Sequence, residues 1–427
     1  MILAEGKIYD SSEQNRLLES LEEKINHTRS AALPDIERVI SAADRLSRKI
    51  CSGEYDGILK TVLADAPKNY IQTAAELMKA DNIRYRLKTE LGSHYIIGDE
   101  YIVNDAYKIK ARLMPLGTLF HIAAGNMEVL PAFSLLEGLL MGNVNILKLP
   151  NADNGLTVEL FRQLICDAPE LAPYIYIFDT PSSDIAAMKK MAEISDGIAV
   201  WGGDEAVSAV RALAPVGAKL IEWGHKLSFA YISGYDTAAL KSLAEHIITT
   251  KQLLCSSCQT IYLDTESMAD IRSFCKEFLP VLENAERKNP IDDIGTAAQI
   301  SVKSYTDRLE RIISGKADRE YFRGEKCSLT ACEDSTLELS SMYGNCLVKR
   351  LPEKDIINTL RAKKEYLQTA GLICSPEKRE RLINILAASG VNRIMSPENM
   401  SASFCGEAHD GEYPLRRYSR IVNIETG

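Results

Sequence analysis

With 427 residues, 46% of them hydrophobic, the chain has material for more than one core, which argues against a single domain. Fifty Lys and Arg stand against 59 Asp and Glu, and the formal charge of −9 offers a phosphate backbone no basic footprint, so nucleic acid is not the expected partner. The most apolar window, Leu116 to Leu149, is broken by His121, Asn126, Glu128, Glu137, Asn143 and Asn145, and no span reaches the roughly 20 apolar residues of a bilayer crossing. The opening MILAEGKIYDSSEQNR does not look like a secretion signal and the ten cysteines are scattered, so the expectation is a soluble, cytoplasmic protein with reduced thiols.

Residues 12 to 110 are charged and mixed, with a helical rhythm around Leu17, Leu18 and Leu21, and read as a mainly helical lead-in without an assigned function. The rhythm changes at Leu116. An apolar run to Ala124 ends at Gly125 and Asn126, a helical stretch covers Val129 to Met141, and a second apolar run, Val144 to Leu149, closes on Pro150. The alternation continues with a helix over Thr157 to Ile165, a strand at Tyr174 to Phe178, a helix over Asp184 to Ile194 and a strand at Ile198 to Trp201. A further helix and strand end at Glu222. Such spacing predicts an α/β fold with a doubly wound parallel sheet, whose ligands gather at the carboxyl ends of the strands.

A second alternating unit runs through Leu227 to Ile232, a helix over Thr237 to Thr250, and a strand at Gln259 to Leu263. The domains expected are 1–226, a lead-in plus a dinucleotide-binding domain; 227–400, a second α/β domain; and 401–427, a C-terminal segment.

Cys255 lies in KQLLCSSCQTIYL, in the short segment before a strand. A working nucleophile must be a thiolate in a donor-rich, partly exposed setting, and Ser256, Ser257 and the turn backbone are candidate donors; the alternative is an ordinary packed cysteine. Cys258 completes a Cys-x-x-Cys pair, but a closed zinc site takes about four ligands. No second suitable pair exists, Cys327 and Cys332 fitting no common spacing, so no metal is expected. Gly125 and Asn126 follow a strand where N–H donors can meet a developing oxyanion, or form a plain turn. Glu222, followed by Trp223, Gly224 and His225, is either a general base or polar surface.

MPLGTLFHIAAGNMEVLPAFSLLEGLLMGNVNILKLP resembles the signature of the LuxC-type long-chain acyl-CoA reductases, a divergent branch of the aldehyde dehydrogenase superfamily. LIEWGHKLSFAYI, LLCSSCQTIYL and AHDGEYPL resemble three further blocks of that branch, in the same order. The resemblance implies a dinucleotide domain joined to a catalytic cysteine domain, Cys255 as nucleophile, Asn126 as oxyanion holder and Glu222 as the superfamily glutamate. It also implies Lys148 at the cofactor ribose. Gly202 and Gly203 stand where a Gly-Ser near the phosphates is commonest, and Gly224 with His225 where Gly-Gly precedes Lys226. Cys258 falls where these chains often have proline, and alignment here is ambiguous by a residue.

The reaction so implied is reduction of an acyl-CoA or other activated acyl thioester to an aldehyde through a cysteine acyl-enzyme, with aldehyde oxidation, acyl-phosphate reduction or a non-enzymatic acyl-binding role as rivals. NADPH is expected to serve at least as well as NADH. Where NAD-preferring relatives carry a glutamate three residues past the lysine, this chain has the neutral Asn151, and Asp153 is expected to cap the following helix. A homodimer and an acyl-supplying partner enzyme are further implications, Arg420 to Ile424 being a strand that extends a sheet across subunits or closes the chain's own sheet. Asp410 and Gly411 predict a tight turn beside His409.

Overall fold

The structure, a computed structural model, describes residues 1–57, 59, 68–94, 96–123, 129–290, 294–315 and 318–426. It divides into two compact units, Met1–Gly224 with Phe404–Gly427, and His225–Ser403. No helix among the described residues is long and apolar enough to cross a membrane.

In the first unit, strands β1 (Ile2–Ala4), β2 (Lys7–Tyr9), β3 (Glu100–Asn104), β4 (Ile109–Pro115), β5 (Thr118–Ile122), β6 (Val144–Lys148), β7 (Ile175–Phe178), β8 (Gly197–Trp201) and β9 (Lys219–Trp223) build two sheets. The larger has the order β2-β1-β7-β6-β5-β8-β9. From β7 to β9 it is parallel, with registers such as Phe120↔Ile146, Leu119↔Gly197 and Trp201↔Trp223. β5, β6 and β7 are buried at every position, the pattern of strands covered on both faces rather than of strands with one wet face. The order runs outward from β5 in both directions, which opens the crevice of a doubly wound sheet beyond the carboxyl ends of β5 and β8.

Of the polar residues that interrupt the apolar window, the described ones, His121, Glu137, Asn143 and Asn145, are fasteners of this core. His121 is held between Ser134 Oγ (2.8 Å) and Asn145 Oδ1 (3.1 Å). Asn143 accepts from Gly117 N (2.9 Å) and donates to Tyr418 O (3.0 Å). Glu137 and Glu90 flank Arg86, each 2.5 Å from its guanidinium. The Leu130–Leu140 helix lies close on the sheet because Gly138 has no side chain; a Cβ there would stand 1.8 Å from Asn145 Oδ1.

The lead-in is helical as expected, with helices Gln14–Ser30, Ile36–Ser52, Lys68–Leu77 and Ala80–Leu91. Leu17, Leu18, Leu21 and Ile25 form the buried face of the first. It is not a separate preface, however. β1 adds antiparallel to β7 through Leu3↔Ile177, and β2 pairs with β1, so residues before the helices complete the sheet edge. At the other end of the chain, Ser419–Glu425 pairs antiparallel with β4, from Ser419↔Pro115 to Glu425↔Ile109, at one edge of a three-stranded sheet with β3.

The second unit has its own sheet of β10 (Leu227–Ser233), β11 (Cys258–Leu263), β12 (Arg319–Arg323), β13 (Ser328–Cys332), β14 (Asn345–Arg350), β15 (Leu367–Cys374) and β16 (Arg393–Met395), in the order β12-β13-β14-β11-β10-β15-β16. All its pairings are parallel except β12 with β13. Helices Thr237–Thr249 and Met268–Lys288 cover one core, built on Leu243, Ile247, Ile261, Phe274 and Phe278. Leu382 and Leu386 of the Pro376–Ser389 helix belong to the other, with Phe229, Tyr231 and Tyr262.

Candidate active site

In the first unit, Lys148 ends β6. It is buried, its Nζ donates to Ser182 Oγ (2.8 Å), and burial holds its pKa below the ordinary lysine value. Asn151 opens the short 3-10 turn Asn151–Asp153 and is exposed. Asp153 is buried and turned inward; it accepts from Thr157 N (3.2 Å) and from the Thr157 hydroxyl, while burial raises its pKa. The helix it serves runs Leu156–Asp167 with Gly155 at its cap, starting one residue before the predicted Thr157, and Asn154 and Gly155 ahead of it both take left-handed backbone.

Gly202 follows β8 and donates its N–H to Trp223 O (3.1 Å); Gly203 caps the Asp204–Leu213 helix. A side chain at Gly203 or Gly224 would meet nothing within 4 Å. These open positions and the buried Lys148 ammonium suit a dinucleotide lying across the strand ends. Asp204 and Glu205 occupy the first turn of the helix after Gly203 and oppose a phosphate at that particular N-terminus.

Glu222, within β9, faces a different partner from the one its sequence context suggests. Both its oxygens are taken by Arg211, at 2.5 Å from Nε and 2.7 Å from Nη2. The hydrogen bonds from Arg211, with the charges of Arg211 and Arg417, hold its pKa below the usual carboxylate value. A bidentate arginine fork makes a carboxylate a weaker base. Asn126 lies outside the described residues.

Cys255 belongs to the second unit, in the turn between the Thr237–Thr249 helix and β11, and is exposed. The turn is braced from below. Ser228 Oγ donates to Cys255 O (2.6 Å) and accepts from Thr369 N (3.1 Å). Leu254 N donates to Ser257 Oγ (3.1 Å), Ser257 N to Leu254 O (2.9 Å), and Ser256 Oγ to Ser401 Oγ (2.8 Å). Ser256 and Ser257, expected as donors near the thiol, thus have hydroxyls engaged in holding the turn.

Gln252 is the keystone of that bracing. Lys251 and Gln252 take left-handed backbone, φ 51° and 59°, which drives the Gln252 side chain inward to 1% exposure. Its Nε2 donates to Cys258 O (2.8 Å) and Ser340 Oγ (3.2 Å), and its Oε1 accepts from Gly344 N (2.9 Å). Its own carbonyl accepts from Gln259 Nε2 (2.8 Å). His246, kept neutral by burial with a pKa lowered to about 4, accepts Cys258 N at Nε2 (3.3 Å). Sequence reasoning passed over Gln252, Gln259 and His246; the polar residues flanking an apolar helix end and a strand start were the available signal.

Cys258 starts β11 fully buried, and burial pushes its thiol up to about 12, so it stays protonated. Cys275 and Cys327 are pushed up to about 12 for the same reason. Among the described residues, Cys332, Asp334 and Glu338 have ligand atoms within 4.8 Å of one another. The buried Lys349 ammonium lies 2.7 Å from both Asp334 and Glu338, and Arg319 is 2.7 Å from Glu338, so the cationic position between these groups is filled by the chain itself.

The arrangement of strands and helices is that of the aldehyde dehydrogenases. Aldehyde dehydrogenase 21 of Physcomitrella patens superposes on 97% of this chain and 90% of its own with a TM-score of 0.70 at 11% identity. The NADP-dependent glyceraldehyde-3-phosphate dehydrogenase of Bacillus halodurans C-125, solved with NADP, matches over 99% of this chain and 98% of its own, TM-score 0.70, 15% identity.

Within that class the particular family is equally plain. The acyl-CoA reductase (LuxC) family matches residues 31–421, and the chain belongs to it; it is an acyl-reducing, aldehyde-forming oxidoreductase with an aldehyde dehydrogenase fold. The long-chain acyl-protein thioester reductase 2 of Photobacterium leiognathi is 25% identical over 353 residues, 79% of this chain and 70% of that one.

Proposed function

We propose that the chain reduces an acyl thioester, carried on coenzyme A or on a protein, with Cys255 as the acyl-carrying nucleophile. The observation that carries this reading is the contrast between the cysteines of LLCSSCQTIYL: Cys255 is exposed on a braced turn, while Cys258 is buried and held as a thiol. The Cys255 thiolate attacks the thioester carbonyl, the Asn126 amide and the Cys255 N–H receive the oxyanion, and the donor thiolate leaves to give an acyl-enzyme. Reduced nicotinamide, when bound, supplies the hydride that turns the acyl-enzyme carbonyl into an aldehyde and returns the Cys255 thiolate. One thioester, one reduced cofactor and one proton give one aldehyde, one thiol and one oxidised cofactor. No step needs an activated water, which agrees with Glu222 being held by Arg211 and leaves it as a proton manager or a structural remnant.

Lys148, Asn151, Gly202, Gly203 and Gly224 hold the cofactor in this reading, with NADPH used at least as well as NADH. Lys148 can pair with a 2′-phosphate, Asn151 adds no negative charge, and Asp153 is turned inward to Thr157. The enzyme works in the cytoplasm as a homodimer, joined at the sheet edge formed by Ser419–Glu425, and receives its acyl group from a partner enzyme. The test is cofactor oxidation with an acyl-CoA, an acyl phosphate and, in reverse, a free aldehyde, run with both nucleotides. Asn151→Glu should lower kcat/KM for NADPH more than for NADH. A starting preference for NADH of about tenfold or more, roughly 1.4 kcal/mol in transition-state terms, contradicts the cofactor assignment.

A further inference from the structure

The Ile294–Ile313 helix of the second unit is 20 residues long, and most of its described side chains are exposed. Among them Val302, Tyr305, Leu309, Ile312 and Ile313 are between 55% and 83% exposed. At about 100° per residue these five and the exposed Ala298 fall within one arc of about 100°, the width of a stripe that ordinarily faces a core. Here it faces solvent.

The helix is fastened to its own unit from the other side. Arg311 Nη1 donates to both oxygens of Asp318 (2.8 and 3.0 Å), and the Arg308 guanidinium lies 5.6 Å from the Tyr321 ring centre. Ile300 and Arg311, three turns apart on that side, are half-buried. Arg323 lies 5.0 Å from the Tyr305 ring centre and fixes the ring at the margin of the stripe. Tyr321 and Arg323 belong to β12, the edge strand of the second sheet. A contiguous apolar stripe of several side chains left outside a folded unit marks an interaction surface.

The spacing selects what covers it. Ala298, Val302, Tyr305, Leu309 and Ile312 follow at steps of four, three, four and three, the pattern of a seam that packs against another helix. The stripe is also complementary to itself when turned end for end. An antiparallel pair centred on Tyr305 sets Val302 against Leu309 of the second copy and Ala298 against its Ile312, small against large. On one flank the same turn brings the exposed Lys303 of each copy to the exposed Glu310 of the other, twice by symmetry. On the other flank Arg308 meets the uncharged Ser301. The five exposed side chains offer on the order of 600 Å² per copy, about 1,200 Å² for a pair, which reaches the lower bound of a specific interface.

We propose that the Ile294–Ile313 helix pairs antiparallel with the same helix of a second copy of this chain. This contact is distinct from the Ser419–Glu425 sheet edge of the proposed function, and with that edge it joins two dimers into a tetramer.

Sedimentation velocity of the full-length protein at micromolar concentration tests the pairing. Leu309→Glu places a charge in the seam and should halve the mass with helix content unchanged. Lys303→Glu and Glu310→Lys should each weaken the association about tenfold, because each opposes like charges twice. The double variant, which restores opposite charges across an antiparallel pair, should return to within about threefold of the starting protein. Equal mass in the starting protein and Leu309→Glu overturns the proposal, as does a double variant no better than either single one. If Leu309→Glu does not fold, the charge variants decide. Flotation with phosphatidylcholine vesicles by the starting protein, lost in Leu309→Glu, assigns the stripe to a lipid surface and also overturns it. A mass that halves from dimer to monomer, rather than from tetramer to dimer, supports the helix pair and counts against the sheet-edge dimer.

Discussion

Replacing Gln252 by Ala tests whether the turn carrying Cys255 is held by one buried amide. The substitution removes the donor to Cys258 O and the acceptor of Gly344 N, both within the second unit. Each buried backbone group left without its partner costs about 1–3 kcal/mol, so the two together predict a loss of about 2–6 kcal/mol. The left-handed backbone at Gln252 is strained for Ala much as for Gln, so the change reads the side chain rather than the backbone. The loss is measured as the shift in urea midpoint multiplied by the slope. In variant protein that remains folded, turnover should fall further than the folded fraction, because the Cys255 turn rests on the same bonds. Gln252→Glu keeps the acceptor for Gly344 N but turns an oxygen toward Cys258 O, and should be at least as damaging. A shift below about 0.5 kcal/mol in Gln252→Ala, with turnover unchanged, refutes the reasoning.

Two further predictions concern pH and charge. His121 and His246 are both buried with pKa lowered to about 4, against the 6.5 ordinary for histidine. Between those values the unfolded chain binds more protons than the folded one, so stability falls as pH drops from about 6.5 to 4, by up to roughly 2.7 kcal/mol per pH unit for two sites; urea midpoints that stay flat over this range contradict the neutral assignment. Glu222 has a lowered pKa, so its bond to Arg211 stabilises the fold above the unfolded carboxylate value and is lost as pH falls through the folded one. Arg211 is 62% exposed, so Arg211→Ala should cost no more than about 1 kcal/mol at pH 7. That difference from the starting protein should shrink at acid pH; one that grows on acidification shows that Arg211 acts through another group.

Much of the first unit was legible because the parallel strands are short apolar runs separated by helices of amphipathic spacing. The helix predicted over Val129 to Met141 is Leu130–Leu140, and the strand predicted at Tyr174 to Phe178 is Ile175–Phe178. The Asp-Gly turn beside His409 was also readable, since both residues tolerate positive φ. What was not legible depends on partners far along the chain. β1 is three residues long and joins the sheet through Ile177, a contact that no local pattern announces. Gln252 reads as a polar residue at a helix end until Gly344 and Ser340 are seen around it. Glu222 reads as a candidate base until Arg211, on the preceding helix, is found to hold both its oxygens.

The central claim is that Cys255, and not Cys258, carries the acyl group. Intact-mass measurement after incubation with an acyl-CoA, without reduced cofactor, tests it most directly in the starting protein, Cys255→Ser and Cys258→Ser. The account predicts one acyl adduct per chain in the starting protein and in Cys258→Ser, and no thioester adduct in Cys255→Ser. An adduct that survives Cys255→Ser and disappears in Cys258→Ser contradicts it.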